Sequence, residues 1–304
     1  MSKNKLPRQD ENTAADSGAE LGQWADPAGF DESENDYSLP VTLSIDDTEE
    51  VINIGIHSDI GTRASQQDSS VIGIGNNVSP AYNGKFIAAV CDGMGGLQGG
   101  EIASALCAKT FYEDFFKTAE NISYPDFFKD EIDKIDFAVS ELKTAEGEGM
   151  HAGSTFVAVI VDRGLLYWAS VGDSHLYIAR GSEIVQVNRD HNYYMLLKEK
   201  VKAGEMTAEE AEANKHKEAL VSYMGMRGVK YMDVNEKPFK LIPEDCIILC
   251  SDGLYRLLTD EEILGIVSSY PRNMTEAAKA MVEAANDKLA PHQDNTSVII
   301  FKYI

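Results

Sequence analysis

A mixed, largely antiparallel α+β sandwich is the fold class that this 304-residue sequence predicts. Three observations carry it. Short apolar runs bounded by Gly, Asn and Asp follow one another at hairpin-like spacing. Long amphipathic stretches come as a pair in the middle of the chain and once near its end. Strands and helices do not alternate one for one, as a βαβ fold would require.

The strand candidates, in chain order, are 52–57, 70–74, 86–90, 155–161, 165–171, 175–179, 184–187, 246–250 and 297–301. The first helix lies over 101–116, with Ile102, Leu106, Cys107, Phe111 and Phe115 on one side. Its successor has Phe128, Ile132, Ile135, Val139 and Leu142 at steps of four, three, four and three, a single stripe that must pack on another surface. A third, over 275–289, repeats the pattern with Ala278, Met281, Val282, Ala285 and Leu289. Thr207 with Glu210, and Thr259 with Glu262, have capping-box spacing, in which a hydroxyl and a carboxylate satisfy exposed backbone donors reciprocally; they mark two more helix starts. No internal repeat is present, there is no P-loop, and the GIG at 73–75 lacks the third glycine and following helix of a dinucleotide site.

Composition narrows the function classes. With 43% hydrophobic residues the chain can bury one large core or two small ones. The formal charge of −23 argues against nucleic acid and anionic lipid, which attract Lys and Arg. The longest aliphatic and aromatic run, 156–161, falls far short of the roughly 20 residues a membrane helix needs. Basic residues at the N-terminus have no apolar stretch behind them, so a secretory signal is not expected and the cytoplasm is the expected location. Cys91, Cys107, Cys246 and Cys250 show no paired CxxC spacing and are expected as small buried apolar residues.

The acid is unevenly spread. Residues 1–50 hold 13 acids against three bases, have few large apolar residues and predict a disordered acidic tail, leaving 51–304 as the folded domain. Within that domain four Asp residues adjoin apolar strands: Asp92 in VCDGMGG, Asp173 in VGDS, Asp252 in LCSDGL and Asp294 in DNTSV. Asp is depleted in strands and costly at the edge of a core unless paired or coordinated. Neighbouring glycines let the backbone come close, so that a carbonyl such as that of Gly93 can serve as a ligand. Hard oxygen donors without nearby His or Cys suit Mg²⁺ or Mn²⁺. Each Asp alone also fits a turn or a helix cap, and spacing does not bring the four together; the residues by themselves give a candidate divalent-metal hydrolase.

The motifs SDIGTRASQQD (58–68), VCDGMGG (90–96), GGEIAS (99–104), GST (153–155), VGDS (171–174), DHN (190–192), LCSDGL (249–254) and DNTSV (294–298) occur in this order. In this the chain resembles the metal-dependent serine/threonine protein phosphatases of type 2C, in their bacterial form. The resemblance implies a four-layer αββα sandwich, two central antiparallel sheets flanked by helices, with two Mn²⁺ or Mg²⁺ ions at one end and a third, weaker one. By motif position Asp92 would bridge the two ions, the Gly93 carbonyl would hold one, and Asp252 and Asp294 the other. Asp68 would act through a metal-bound water, and Asp173 with Asp252 would hold the third ion. Arg63 would bind the substrate phosphate. Residues 193–225 resemble the family's flap. Arg63, Asp68 and Asp92 are thus the expected catalytic residues, phosphorylated proteins the expected substrates, and a cognate serine/threonine kinase an expected partner of a monomer that meets neither nucleic acid nor membrane.

Three positions depart from the pattern. Gln67 stands where many relatives carry Glu, His175 where Arg is usual, and Met94 where eukaryotic relatives have a His; the leaving alkoxide would then take its proton from water near Asp173. A pseudophosphatase that binds a phosphoprotein without turnover, and a hydrolase of a small phosphate monoester, are the alternatives.

Overall fold

Strict alternation of side-chain direction explains how a run such as FIAAVC becomes a strand buried on both faces. The computed structural model describes residues 52–75, 84–94, 99–118 and 122–304; the expected acidic tail, 1–50, lies outside the described residues. The strands are β1 (Ile52–Asp59), β2 (Asp68–Ile74), β3 (Lys85–Met94), β4 (Gly153–Ser154), β5 (Phe156–Asp162), β6 (Leu165–Val171), β7 (His175–Arg180), β8 (Glu183–Gln186), β9 (Asp233–Val234), β10 (Phe239–Lys240), β11 (Cys246–Cys250) and β12 (Thr296–Tyr303). The helices are α1 (Gly100–Lys117), α2 (Tyr124–Ser140), α3 (Tyr193–Lys202), α4 (Ala208–Glu212), α5 (Asp252–Tyr255), α6 (Asp260–Ser269) and α7 (Met274–Asn286).

Two antiparallel sheets result. One has the order β1-β12-β11-β7-β8; the other has the order β10-β6-β5-β3-β2, with β4 beside β3 and β9 beside β6. On β3, Phe86, Ala88 and Val90 point inward to meet Leu176, Ile178, Ile247, Leu249, Ile299 and Phe301 of the facing sheet. Ile87, Ala89 and Cys91 point the other way, onto Leu106, Phe111, Phe128 and Ile132 of α1 and α2. The outer face of the first sheet, through Ile248, Cys250, Val298 and Ile300, is covered by α6 and α7 with Ile263, Met281 and Val282. The four layers are therefore helix, sheet, sheet and helix, as the motifs imply. Each fully buried Leu, Ile or Phe in these layers contributes about 1.5–3 kcal/mol of transfer free energy.

Both capping boxes form, Thr207 with Glu210 on α4 and Thr259 with Glu262 on α6. The stripe expected to run to Leu289 ends earlier. α7 stops at Asn286, and Leu289 has φ 50° and is 85% exposed. The apolar period continues one step past the helix because a periodic pattern carries no stop signal. α3, α5 and the two-residue strands β4, β9 and β10 were not expected; two residues have no period, and of α3 only Leu197 is buried.

The segment expected as a flap contains α3 and α4 and returns over α2. There Asp136 accepts hydrogen bonds from the backbone N–H groups of Gly225 (2.7 Å), Met226 (2.8 Å) and Gly228 (2.5 Å). Met224 pairs with Ser154 of β4, so the flap's end is stitched to the sandwich. All four cysteines are free and buried, as expected. Among the described residues no helix is long and apolar enough to cross a membrane.

Candidate metal centre

Antiparallel pairing carries the scattered acids to one end. Asp68 opens β2 and pairs with Asp92 near the end of β3. β5 begins beside that point and pairs Phe156 with Val171, the last residue of β6, two positions before Asp173. In the facing sheet Cys250, the last residue of β11, is opposite both His175 and Val298, so Asp252, Asp173 and Asp294 gather at the same end.

Close backbone contacts fix their approach. A Cβ on Gly93 would lie 2.1 Å from the Gly100 carbonyl oxygen and 2.5 Å from that of Gln67. A Cβ on Gly253 would lie 2.1 Å from the Asn295 carbonyl oxygen. Only glycine permits these approaches, and the second holds Asp252 beside the 294–296 turn. Asn295, buried, locks the loop that carries Arg63: its Nδ2 donates to the carbonyls of Ile60 (2.9 Å) and Ser65 (3.2 Å), and its Oδ1 accepts from the Gln67 N–H (2.8 Å). Thr155 of the GST motif accepts from the Asp92 N–H at 2.9 Å, and its hydroxyl lies 2.6 Å from that of Ser174.

The carboxylates raise one another's pKa. Burial first, offset in part by hydrogen bonds from Ser251 and Ser297 and reinforced by Asp252 and Asp294, pushes Asp68 up to about 7. Burial, then the charges of Asp68, Asp252, Asp173 and Asp294, holds Asp92 well above the usual carboxylate range. Burial and Asp252 bring Asp173 to about 7 despite the opposing charge of Arg256, and burial likewise raises Asp252. Two arginines face this negative end: Arg63 Nη2 pairs with Asp294 Oδ2, and Arg256 Nε lies 3.0 Å from Asp252 Oδ2.

A divalent cation fits this donor set. Asp68 Oδ1 and Asp252 Oδ1 are buried with no hydrogen-bond partner, which is costly for an acceptor unless something positive reaches it. Among the described residues no three His, Cys, Asp or Glu side chains form a ready metal cluster; Asp294 pairs with Arg63 and Asp252 with Arg256. All donors are hard oxygens, the choice of Mg²⁺ and Mn²⁺.

A family model described as protein phosphatase 2C matches residues 53–199. The chain is 27% identical over 217 residues to the serine/threonine phosphatase stp of Listeria welshimeri, spanning 70% of this chain and 83% of that one. Over that stretch the chain is similar to the protein phosphatase 2C family. The solved structure of the S. agalactiae serine/threonine phosphatase, 25% identical, superposes with a TM-score of 0.71 over 83% of this chain and 100% of that one. The same fold occurs in the catalytic domain of a serine/threonine protein phosphatase in complex with two manganese ions, 24% identical with a TM-score of 0.64, covering 84% of this chain and 99% of that one.

Within this family frame the expected residues Arg63, Asp68, Asp92, Gly93, Asp173, Asp252 and Asp294 all lie at one end of the sandwich. Gln67, expected to depart from the motif, donates through Nε2 to Glu101 at 3.2 Å, so an acid lies beside it. His175 is a strand-borne structural partner: Nδ1 lies 2.8 Å from the Tyr177 hydroxyl, Nε2 lies 2.9 Å from Asp190, and its ring stacks on Tyr255. His191 is fully buried and accepts from the Gly172 N–H at 3.2 Å. Sequence reasoning missed Ser251, Asn295 and Arg256. The only local signal was for Arg256, which stands one helical turn after Asp252, at the i,i+4 spacing of an ion pair.

Proposed function

We propose that the chain hydrolyses phosphoserine and phosphothreonine esters of proteins as a metal-dependent phosphatase. The supporting observation is that strand pairing brings Asp68, Asp92, Asp252 and Asp294, from both sheets, to one end of the sandwich, where Asp68 Oδ1 and Asp252 Oδ1 are buried without a hydrogen-bond partner. Asp92, the Gly93 carbonyl, Asp252 and Asp294 would hold two Mn²⁺ or Mg²⁺ ions. When bound, such a pair lowers the pKa of a shared water towards neutrality and offsets the charge of the phosphoryl oxygens.

The rest of the work falls to the chain. Asp68, with Oδ2 held by Ser251, presents Oδ1 to accept a proton from the attacking water and so aims its lone pair. Arg63, half exposed, can leave Asp294 and offer two parallel N–H donors to phosphate oxygens. No side chain need act as nucleophile. Phosphate monoesters are among the slowest esters to hydrolyse, with enzymatic accelerations reaching about 10²¹-fold, so this pre-aligned charge is what the reaction demands.

In this reading the catalytic domain is 51–304, following the acidic segment 1–50, and the protein acts in the cytoplasm as a monomer opposing a serine/threonine kinase. A phosphothreonine peptide and a small phosphate monoester, each assayed in Mn²⁺, Mg²⁺ and EDTA, test the reading. Metal-dependent turnover of the peptide that Asp92→Ala abolishes is expected. Full activity in EDTA or in that variant would overturn it.

A further inference from the structure

Two carboxylates that the motifs assign to an additional metal ion already share a cation of the chain's own. Arg256 Nε lies 3.0 Å from Asp252 Oδ2, and Arg256 Nη2 lies 3.6 Å from Asp173 Oδ2. The guanidinium therefore stands between the acid that follows β6 and the acid that follows β11. Its Nη2 also lies 4.0 Å from Glu218 of the flap.

The backbone that carries Arg256 is fixed by its surroundings. Arg256 follows α5, and the residues on either side of that turn, Leu254 and Leu258, are buried in the core beneath α6 and α7. Tyr255 stacks on His175 with ring centroids 3.5 Å apart and planes 10° from parallel, and His175 is held in turn by Asp190. The short helix thus cannot rotate to carry Arg256 away without breaking core contacts.

A divalent ion bound to both Asp173 and Asp252 would need their oxygens at about 2.0–2.2 Å, in the space that the guanidinium nitrogens approach. It would also meet a charge that cannot be discharged, because arginine does not deprotonate in proteins.

We propose that Arg256 is the resident cation of the Asp173–Asp252 pair, so that this chain binds two divalent ions around Asp92 and no third. The proposal rests on the metal-centre reading above but makes a separate count. A family trait expected from the motifs is replaced here by a covalently attached positive charge, which also links the metal end of the sandwich to the flap.

The test is the number of Mn²⁺ ions bound by the EDTA-stripped full-length chain, read from the loss of the free-ion electron paramagnetic resonance signal up to millimolar Mn²⁺. Two are expected for the unmodified protein and for Arg256→Lys. Three are expected for Arg256→Asp and Arg256→Gln, the second keeping side-chain bulk should the first fold poorly. Adding Asp173→Ala to either should return the count to two. Three ions in the unmodified protein, or two in the folded Asp and Gln variants, would overturn the proposal. Fewer than two in the unmodified protein would instead overturn the metal-centre reading, and this proposal with it.

Discussion

The Ser251 hydroxyl, at the end of one sheet, donates a 2.7 Å hydrogen bond to Asp68 Oδ2 at the start of a strand in the other, across 183 residues of sequence. Ser251 Oγ also accepts from the Ser297 N–H at 2.9 Å, so one hydroxyl joins β2, β11 and β12 where the acids gather. The second oxygen of Asp68 is left buried and unpartnered, which is how the fold keeps an acceptor available at its reactive end.

That arrangement makes metal-free stability fall with rising pH. Burial pushes the Asp68 and Asp173 carboxyls up from the ordinary 3.8 to about 7 in the folded chain. Glu131 on α2, buried and near Asp114, is likewise raised to about 8. Groups raised in this way bind protons more tightly when folded, so their contribution is complete below about pH 4 and is lost as pH climbs through about 7 to 8. In EDTA the Tm should drop between pH 5 and pH 8, Mn²⁺ should restore it at pH 8, and Asp68→Asn should reduce the slope. A chelated protein whose Tm rises over this window would refute the assignment.

Arg63 is expected to have two opposed effects. As the proposed phosphate ligand it should matter to catalysis, so Arg63→Ala should lower kcat/KM for a phosphothreonine peptide by about 10²–10³-fold, the cost of losing one positioned donor group. As the ion-pair partner of Asp294 it competes with metal, so the same variant should bind Mn²⁺ more tightly by calorimetry. Weaker metal binding in Arg63→Ala would show that the arginine supports Asp294 rather than competing for it.

Asn295 should couple stability to activity. Removing its three hydrogen bonds in Asn295→Ala leaves two carbonyls and one N–H of the Arg63 loop without their partner, a loss of about 2–3 kcal/mol in urea unfolding. KM for the peptide should rise while the count of bound Mn²⁺ holds. An unchanged KM would mean that the loop needs no such anchor.

Asp136 should govern the segment 225–228 alone. Its carboxylate collects three backbone N–H groups of the segment 225–228 from the far side of α2. Asp136→Ala should cost about 3 kcal/mol and expose the segment to faster hydrogen exchange, with the core strands β3 and β5 still protected. Equal exchange throughout the chain would place this contact in the global core instead.

Much of this architecture was legible in the residues because it rests on local periods. Stripes at helical spacing, capping boxes and doubly buried apolar runs each act over a few positions, and the strands they announced are present. Family motifs supplied the candidate site because Asp92, Asp252 and Asp294 stand in local sequence contexts that can be matched. What escaped depends on chain closure. Ser251 meets Asp68 at a separation of 183 residues and Asn295 meets Ile60 at 235, distances over which a sequence holds no period. α5 has four residues, too few for a stripe, and so Arg256 went unremarked although it alters the charge of the site. Leu289 erred in the other direction, an apolar residue at the right spacing but past the helix end.

The central claim is that acids from both sheets form one metal centre, and anomalous scattering from a crystal of the EDTA-stripped protein soaked in Mn²⁺ tests it most directly. The account predicts two manganese peaks at the strand ends, both within coordination distance of Asp92, with Asp252 and Asp294 on one of them and the Gly93 carbonyl on the other. Manganese bound elsewhere on the acidic surface, with Asp92 bare, would contradict it.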